Sequence, residues 1–311
     1  MDIPRQMGGT AEEGPESLLE GAPTLAQKRR SQTRIIFERF VRNRAAFVGA
    51  IFLLLLFLFC FAGPFITGHN NPNQPNLLPA SAPPSWQYPF GSDDIGRDLL
   101  ARAAIGGQVS LLVGLSSMLV AILLGTAIGA VAGYYGGILD TIAMRITDVF
   151  LAVPTYLLLF VLSASFTNGS VFSVIVLISV FGWTTSARLV RGEYLALKQR
   201  EYVMAARTLG AKDFRLMFRH ILPNALGPII VNATLLVGQN IILESVLSYF
   251  GFGVQIPFPS WGSLISDGQG QIHIDPKLVF IPGALIFLTV VSCNLVGDGL
   301  RDAFDPRMTE R

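Results

Sequence analysis

Charged residues are scarce in this sequence, because Asp, Glu, Lys and Arg together make up only 14% of its 311 residues while 51% are hydrophobic. Soluble domains carry about 25% charged residues, so the apolar surplus has to face something other than water. Cysteine is nearly absent as well. Cys60 and Cys293 both lie in apolar runs and supply neither a disulfide framework nor a metal-ligand spacing.

Catalytic motifs are also lacking. The sequence contains no Gly-x-x-x-x-Gly-Lys-Ser/Thr phosphate loop, so we expect this chain neither to hydrolyse nucleotide nor to hold a cofactor of its own. His69, His220 and His273 are far apart, and no Ser–His or paired-carboxylate arrangement accompanies them. These absences argue against an intramembrane enzyme and against a metal site.

The few charges are unevenly placed and leave long uncharged windows. A helix needs about 20 apolar residues to cross a bilayer. The window 149–187 is too long for one crossing, and Asn168-Gly169-Ser170 supplies the turn that divides it. We therefore predict an all-α polytopic membrane protein with six transmembrane helices, at 46–66, 108–131, 142–164, 171–190, 222–248 and 278–297.

Positive charge lies almost entirely on one side of these predicted helices. That side receives 20 of the 23 Lys and Arg residues, and the other side receives Arg97, Arg102 and Lys277. Cytoplasmic loops carry the excess of basic residues, so both termini and the loop 188–219 are predicted to be cytoplasmic. Membrane topology explains these cations without a nucleic-acid partner.

The chain divides by composition into six segments. Residues 1–27 lack apolar periodicity and are predicted to be disordered, and the prolines after the first span exclude a long helix there. The segments are a disordered cytoplasmic tail at 1–27, a basic pre-membrane segment at 28–45, the first span at 46–66, an external Pro/Asn-rich segment at 67–107, a core domain at 108–297 that includes a cytoplasmic loop at 191–220, and a cytoplasmic tail at 298–311.

The loop between the fourth and fifth spans is amphipathic. From Glu201 onward, Tyr202, Ala205, Ala206 and Leu209 follow the i, i+3, i+4, i+7 spacing of one helical face. Gly210 can take the left-handed conformation that ends a helix. A second apolar face precedes Pro223 and comprises Phe214, Met217, Phe218 and Ile221. A simple linker needs none of this, so we predict a docking element.

Five residues inside the predicted spans are candidates for a pathway or a gate: Arg145, Asp148, Pro154, Asn240 and Glu244. Arg145 and Asp148 are spaced to pair near the cytoplasmic end. Pro154 is expected to kink its helix, as a structural hinge or as part of a gate. An acidic side chain in a span costs about 2.5–3.5 kcal/mol. Glu244 is predicted near the external end, where this cost falls, and structural pairing and pathway lining both stay open for it.

The stretch 201–223 resembles the cytoplasmic loop of permease subunits of ATP-binding cassette (ABC) importers. In that family Glu-Ala-Ala, a Gly four positions after the last Ala, and a closing Leu-Pro form the site that docks into the ATPase. Here Ala205 and Ala206, Gly210, and Leu222 with Pro223 occupy those positions, and Met204 stands where the family usually has Glu. The resemblance implies a coupling helix at this loop, with Met204 lacking the family's acidic group.

Three further stretches are similar to C-type permease subunits of dipeptide, oligopeptide and nickel importers: 91–102, 247–262 and 294–307. The resemblance covers most of 35–307 and implies a type I importer permease fold in a prokaryotic inner membrane. It also implies partners: a homologous permease, two ATPase subunits that bind ATP and Mg, an external substrate-binding protein and membrane lipid. Small peptides are the expected substrate, with nickel or a nickel chelate as the alternative.

A different class, the ion-coupled secondary transporter, is the weaker alternative. Such proteins show broken helices or acidic relays near the bilayer midplane. This sequence offers only Glu244 and the neighbours Arg145 and Asp148 for that purpose. Alternating access driven by partner ATPases is therefore the expected mechanism.

Overall fold

A computed structural model describes residues 32–304 apart from 69, 167–168 and 256. Within these residues the regular structure is helical, and the one β pairing is an isolated bridge between Ser92 and Asp98. The predicted all-α class is therefore confirmed. The predicted disordered tail at 1–27 lies outside the described residues, as does the end of the C-terminal tail at 305–311.

The described chain contains twelve α-helices, numbered in chain order. They are α1 (Gln32–Arg42), α2 (Arg44–Phe61), α3 (Gly63–Thr67), α4 (Leu99–Tyr135), α5 (Gly137–Ala152), α6 (Thr155–Phe166), α7 (Val171–Leu197), α8 (Glu201–Thr208), α9 (Asp213–Arg215), α10 (Leu222–Tyr249), α11 (Trp261–Gly268) and α12 (Lys277–Phe304). A π-helix, Leu216–Ile221, joins α9 to α10, and a short 3₁₀ helix, Gln269–Gln271, follows α11.

Five helical stretches are long and apolar enough to cross a membrane: α2, α4, α7, the run Asp213–Tyr249 that contains α10, and α12. Taken together, α5 and α6 are also long and apolar enough to cross a membrane, and the angle of the bend between the two helices is 87°. Counting this pair as one broken crossing gives the six spans that the sequence predicts.

The third span differs from the prediction of one kinked helix at 142–164. It consists of two helices separated at Val153 and Pro154, and Val153 is extended with φ −86° and ψ 135°. A proline disfavours helical geometry in the residue before it and cannot donate a backbone hydrogen bond. The prediction of a kink at Pro154 was therefore too mild, since the helix breaks there.

Several predicted boundaries are also wrong. The first span ends at Phe61 rather than at residue 66, and α3 follows separately. Helix α4 begins at Leu99, inside the predicted external segment 67–107, because the Asp98 carboxylate accepts a 2.9 Å hydrogen bond from Leu100 N and caps the helix. At the other end α12 continues to Phe304, so 298–304 is helix rather than tail.

Small residues allow a close contact between helices α4 and α7. Gly125 and Gly129 of α4 face Ser186 and Ala187 of α7 so closely that an added Cβ would lie 2.5 Å from Ser186 Cβ and 2.4 Å from Ala187 O. Small residues allow this approach in lipid. One face of the second span is therefore packed closely against α7, and the C-terminal end of α4 is held against the loop that follows α7.

Candidate functional site

Helix α8 ends in a glycine turn, as the sequence predicts. Gly210 has φ +81°, its N–H donates to Arg207 O at 3.0 Å, and Ala211 N donates to Ala206 O at 3.1 Å. This pair of bonds is the Schellman motif, in which a left-handed residue satisfies the last carbonyls of a helix. The turn redirects the chain toward α9 and the π-helix.

Large apolar side chains around this turn face away from the rest of the chain. Leu209 is 88% exposed, Phe214 73%, Phe218 49% and Tyr202 42%, and the rings of Phe214 and Phe218 lie 4.5 Å apart. We call these four residues the cytoplasmic apolar surface, after the side on which the basic residues of the sequence predict this loop to lie. Exposed apolar clusters of this kind mark interaction sites.

The two apolar faces predicted from spacing are only partly correct. Glu201, Ala205 and Pro223 are exposed. Ala206 is half-buried and packs against the core, as does Leu222. Four other residues of the loop turn inward and join the core of the bundle: Val203, Leu216, Met217 and Ile221. Met217 and Ile221 therefore leave the predicted second face, while Phe214 and Phe218 stay on the exposed side.

Polar contacts fasten this loop to the end of α4. Tyr134 donates a 2.6 Å hydrogen bond to Asp213 Oδ1, and the Arg207 guanidinium lies 5.9 Å from the centre of the Tyr134 ring. Lys198 Nζ donates to Gly133 O at 2.8 Å. One aromatic side chain of a membrane-spanning helix thus contacts both halves of the loop, on either side of Gly210.

The pathway candidates do not form one site. Asp148 pairs with Arg188 of α7, so the expected pairing with Arg145 is wrong, and Arg145 is exposed. Asn240 lines a cavity of about 370 Å³ beside the break between α5 and α6 at Val153 and Pro154. That cavity brings residues of α5, α6, α7 and α10 together, and no charged residue of the described chain lines it.

Glu244 lies apart from this cavity and is completely buried. Its carboxyl group accepts hydrogen bonds from Ser110 Oγ at 2.8 Å and Ser248 Oγ at 2.7 Å. Ser110 Oγ also accepts a 3.2 Å bond from Trp261 N at the start of α11. Buried polar groups need such partners. These hydrogen bonds connect Glu244 to α4 and, through Ser110, to the start of α11, and both structural pairing and pathway lining stay predictions for this residue.

At the N-terminal end of α4, an ionic cluster joins the segment before this helix to α11. Asp93 accepts hydrogen bonds at 2.6 Å from both Arg97 and Arg102, and Arg102 also pairs with Asp267 at 2.7 Å. Burial alone would raise the pKa of Asp93, but the hydrogen bonds from Arg97 and Arg102 outweigh it and lower that pKa. Sequence reasoning missed this cluster because Asp267 is distant in the chain.

Five long apolar helices in the described residues, with a bent pair that makes a sixth crossing, are those of a multi-pass membrane protein. Comparison with known families gives the particular assignment. The family model for the inner membrane component of binding-protein-dependent transport systems matches residues 125–310, and that for the N-terminal transmembrane domain of oligopeptide transport permease C matches 31–84. The chain belongs to this permease family, whose members reside in the bacterial inner membrane.

Relatives match over nearly the whole length. The oligopeptide transport system permease protein OppC of Bacillus subtilis is 40% identical, with 92% of this chain and 93% of the relative covered. The dipeptide transport system permease protein DppC of the same organism is 41% identical over 89% and 87%. The glutathione transport system permease protein GsiD of Pectobacterium atrosepticum is 37% identical over 94% and 97%.

Proposed function

We propose that this chain is a permease subunit of an ABC importer for small peptides, with the cytoplasmic apolar surface as the ATPase docking site. The supporting observation is that Leu209, Phe214, Phe218 and Tyr202 are exposed on a loop whose other side is firmly packed. The peptide substrate is supported by the relatives, which are named as permeases for oligopeptides, dipeptides and glutathione.

The complex in this proposal contains a homologous permease, two ATPases and an external substrate-binding protein. Both termini and the docking loop face the cytoplasm, in line with the placement of the basic residues. ATP and Mg are bound by the ATPases, and this chain holds no cofactor. The ATP-bound ATPases bind one conformation of the helix bundle more tightly than the other. Only such a difference in affinity can shift the equilibrium between the two conformations.

Movement passes from the loop to the membrane through Tyr134 and the buried cluster around it. When the ATPase pair closes on ATP, α8 moves with the ATPase surface. The contacts of Tyr134 with Asp213 and Arg207 carry that movement into α4, and the tight contact between α4 and α7 carries it onward. Packed helices shift between discrete arrangements rather than deform continuously, so the bundle changes between inward-open and outward-open states.

Uptake of labelled di- to pentapeptides tests the proposal, in cells with and without this chain and in cells whose partner ATPase has a disabled phosphate loop. We expect uptake to be lost in both altered strains and restored by supplying the chain. Peptide uptake that is unchanged without the chain would exclude peptides as its substrate and direct the same assay to nickel. Uptake that requires this chain but survives the disabled ATPase would exclude an ABC mechanism.

A further inference from the structure

The cavity beside Pro154 lies between three of the candidate spans. Val153 and Pro154 divide the third span into halves of 16 and 12 residues. Thr185 lies fourteen residues after the start of α7 and twelve before its end (171 to 185 to 197). Gln239 lies seventeen residues after the start of α10 and ten before its end (222 to 239 to 249). Thr185 and Gln239 line this cavity, and Val153 and Pro154 lie beside its lining residues Leu151 and Thr155, so the cavity lies along the predicted membrane-spanning parts of these helices.

Polar groups in this cavity are exposed rather than paired with one another. Gln239 and Thr185 are both exposed, and neither side chain has a hydrogen-bond partner among the described residues. Asn240 is completely buried, and its Oδ1 accepts no hydrogen bond from the described chain, although its Nδ2 donates to Ser117 Oγ at 2.9 Å. A polar group without a partner in an apolar medium costs several kcal/mol, so Gln239 and Thr185 favour a polar occupant of this cavity over a lipid tail.

The break in the third span adds backbone groups to the same place. The first turn of α6, which begins at Thr155, has N–H groups without intrahelical acceptors, and the last turn of α5 has carbonyls without intrahelical donors. Non-helical backbone at membrane depth is tolerated where it is buried in protein or lines a water-filled cavity. The cavity thus presents donors and acceptors together, from backbone and from amide and hydroxyl side chains.

We infer that this cavity contacts the main-chain amide groups of a peptide during transport, with Gln239 and Thr185 as the side chains that hydrogen-bond them. A peptide backbone offers one donor and one acceptor per residue, which matches the mixed donors and acceptors of this surface. The cavity is lined by no Asp, Glu, Lys or Arg of the described chain, so it does not select for side-chain charge. This inference rests on the proposed function, because it names the part of the substrate that this permease contacts.

Lipid and the homologous permease are the competing occupants of this surface. Lipid tails offer no hydrogen bond to Gln239, and a permanent protein contact would exclude water-soluble reagents from it. Thiol labelling separates these cases. The only cysteines, Cys60 and Cys293, are 0% and 5% exposed, so the wild-type chain supplies the background rate for an introduced cysteine.

The first experiment labels Gln239→Cys in the assembled transporter with a membrane-impermeant, positively charged thiol reagent added from each side. It is done without nucleotide and after trapping with ATP and vanadate. Leu55→Cys is the matched control, because Leu55 is 58% exposed on the apolar helix α2. We expect Gln239→Cys to react at least about tenfold faster than Leu55→Cys in one of the two states, and excess tripeptide to slow that reaction. Equal, slow reaction in both states, or fast reaction that tripeptide leaves unchanged, would overturn the inference.

Substitutions then measure the hydrogen bonds themselves. Gln239→Leu and Thr185→Val keep the size of the side chain and remove its polar group. Each is expected to lower peptide uptake by about threefold to tenfold, the effect of one lost hydrogen bond, while the amount of co-purified ATPase stays at the wild-type level. Unchanged uptake in both variants would overturn the role of these groups. If the wild-type complex takes up no peptide at all, the proposed function fails instead, so the two failures are distinguishable.

Discussion

Replacing Gly210 tests whether the turn after α8 is required for coupling. Gly210 has φ +81°, and a Cβ added there would meet no atom within 4 Å. A substitution therefore introduces no clash with neighbouring atoms and acts through the backbone alone. A left-handed conformation costs an L-residue about 1–2 kcal/mol, which corresponds to about a 5- to 30-fold loss of the native turn relative to other conformations.

The chain offers a matched control for this substitution. Gly192 in α7 also has open space around the position of a Cβ, but it has no positive φ. Valine is slightly better than glycine in a helix interior, so Gly192→Val should leave the fold unharmed. We compare Gly210→Val with Gly192→Val and with Gly210→Asn, because asparagine enters the left-handed region at lower cost than other residues.

The assay measures three quantities for each variant: the amount of chain in the membrane, the ATPase that co-purifies with it, and peptide uptake. We expect Gly210→Val to insert normally and to lose about 5- to 30-fold in uptake. Gly210→Asn should lose less, and Gly192→Val should match the wild type. Normal uptake by Gly210→Val would refute the reasoning, and so would an equal loss in Gly192→Val.

Three further predictions concern the loop and the ionic cluster. Ala205→Asp places a charge on the exposed side of α8 and should reduce the amount of ATPase that co-purifies with the chain. Ala206 is half-buried, so the same substitution there would also disturb folding. Unaltered co-purification of Ala205→Asp would contradict docking by that side. Tyr134→Phe removes the bond to Asp213 but keeps the ring, so uptake should fall by up to about tenfold with normal membrane levels, and full activity would show that this bond does not transmit movement. Asp93→Asn should lower the melting temperature of the purified complex at pH 7. The pKa of Asp93 is lowered in the folded chain. The ionised carboxylate therefore stabilises the fold above the ordinary Asp pKa, about pH 4, and this stabilisation is lost as the pH falls below that value. The wild type should lose stability below about pH 4 more steeply than Asp93→Asn, and identical pH profiles would contradict a stabilising role of the cluster.

Local sequence patterns were sufficient for the spans and for the turn at Gly210. Apolar windows of about 20 residues identify a crossing without knowledge of its neighbours, and a glycine after an apolar helical face identifies a helix end. The extent of the break at Pro154 was not predictable in this way. Proline permits either a kink or a break, and the outcome depends on what packs against the freed backbone.

Long-range contacts were beyond the reach of these patterns. Glu244 accepts a hydrogen bond from Ser110, which lies 134 positions earlier, so this contact is visible only after folding. The sequence shows that Gln239 is polar, but nothing local indicates that it lies beside Thr185 and the start of α6. The split of the docking loop into exposed and buried apolar residues likewise depends on α4 and α7, against which the loop packs.

Site-specific photo-cross-linking at Leu209 tests the docking claim most directly. A photoreactive amino acid replaces Leu209, the most exposed residue of the cytoplasmic apolar surface, and in a control replaces Trp86, which is fully exposed in the external segment. We predict a cross-link from position 209 to the partner ATPase in assembled membranes, and none to it from position 86. Absence of an ATPase cross-link from position 209, in a complex that still takes up peptide, would contradict docking through this surface.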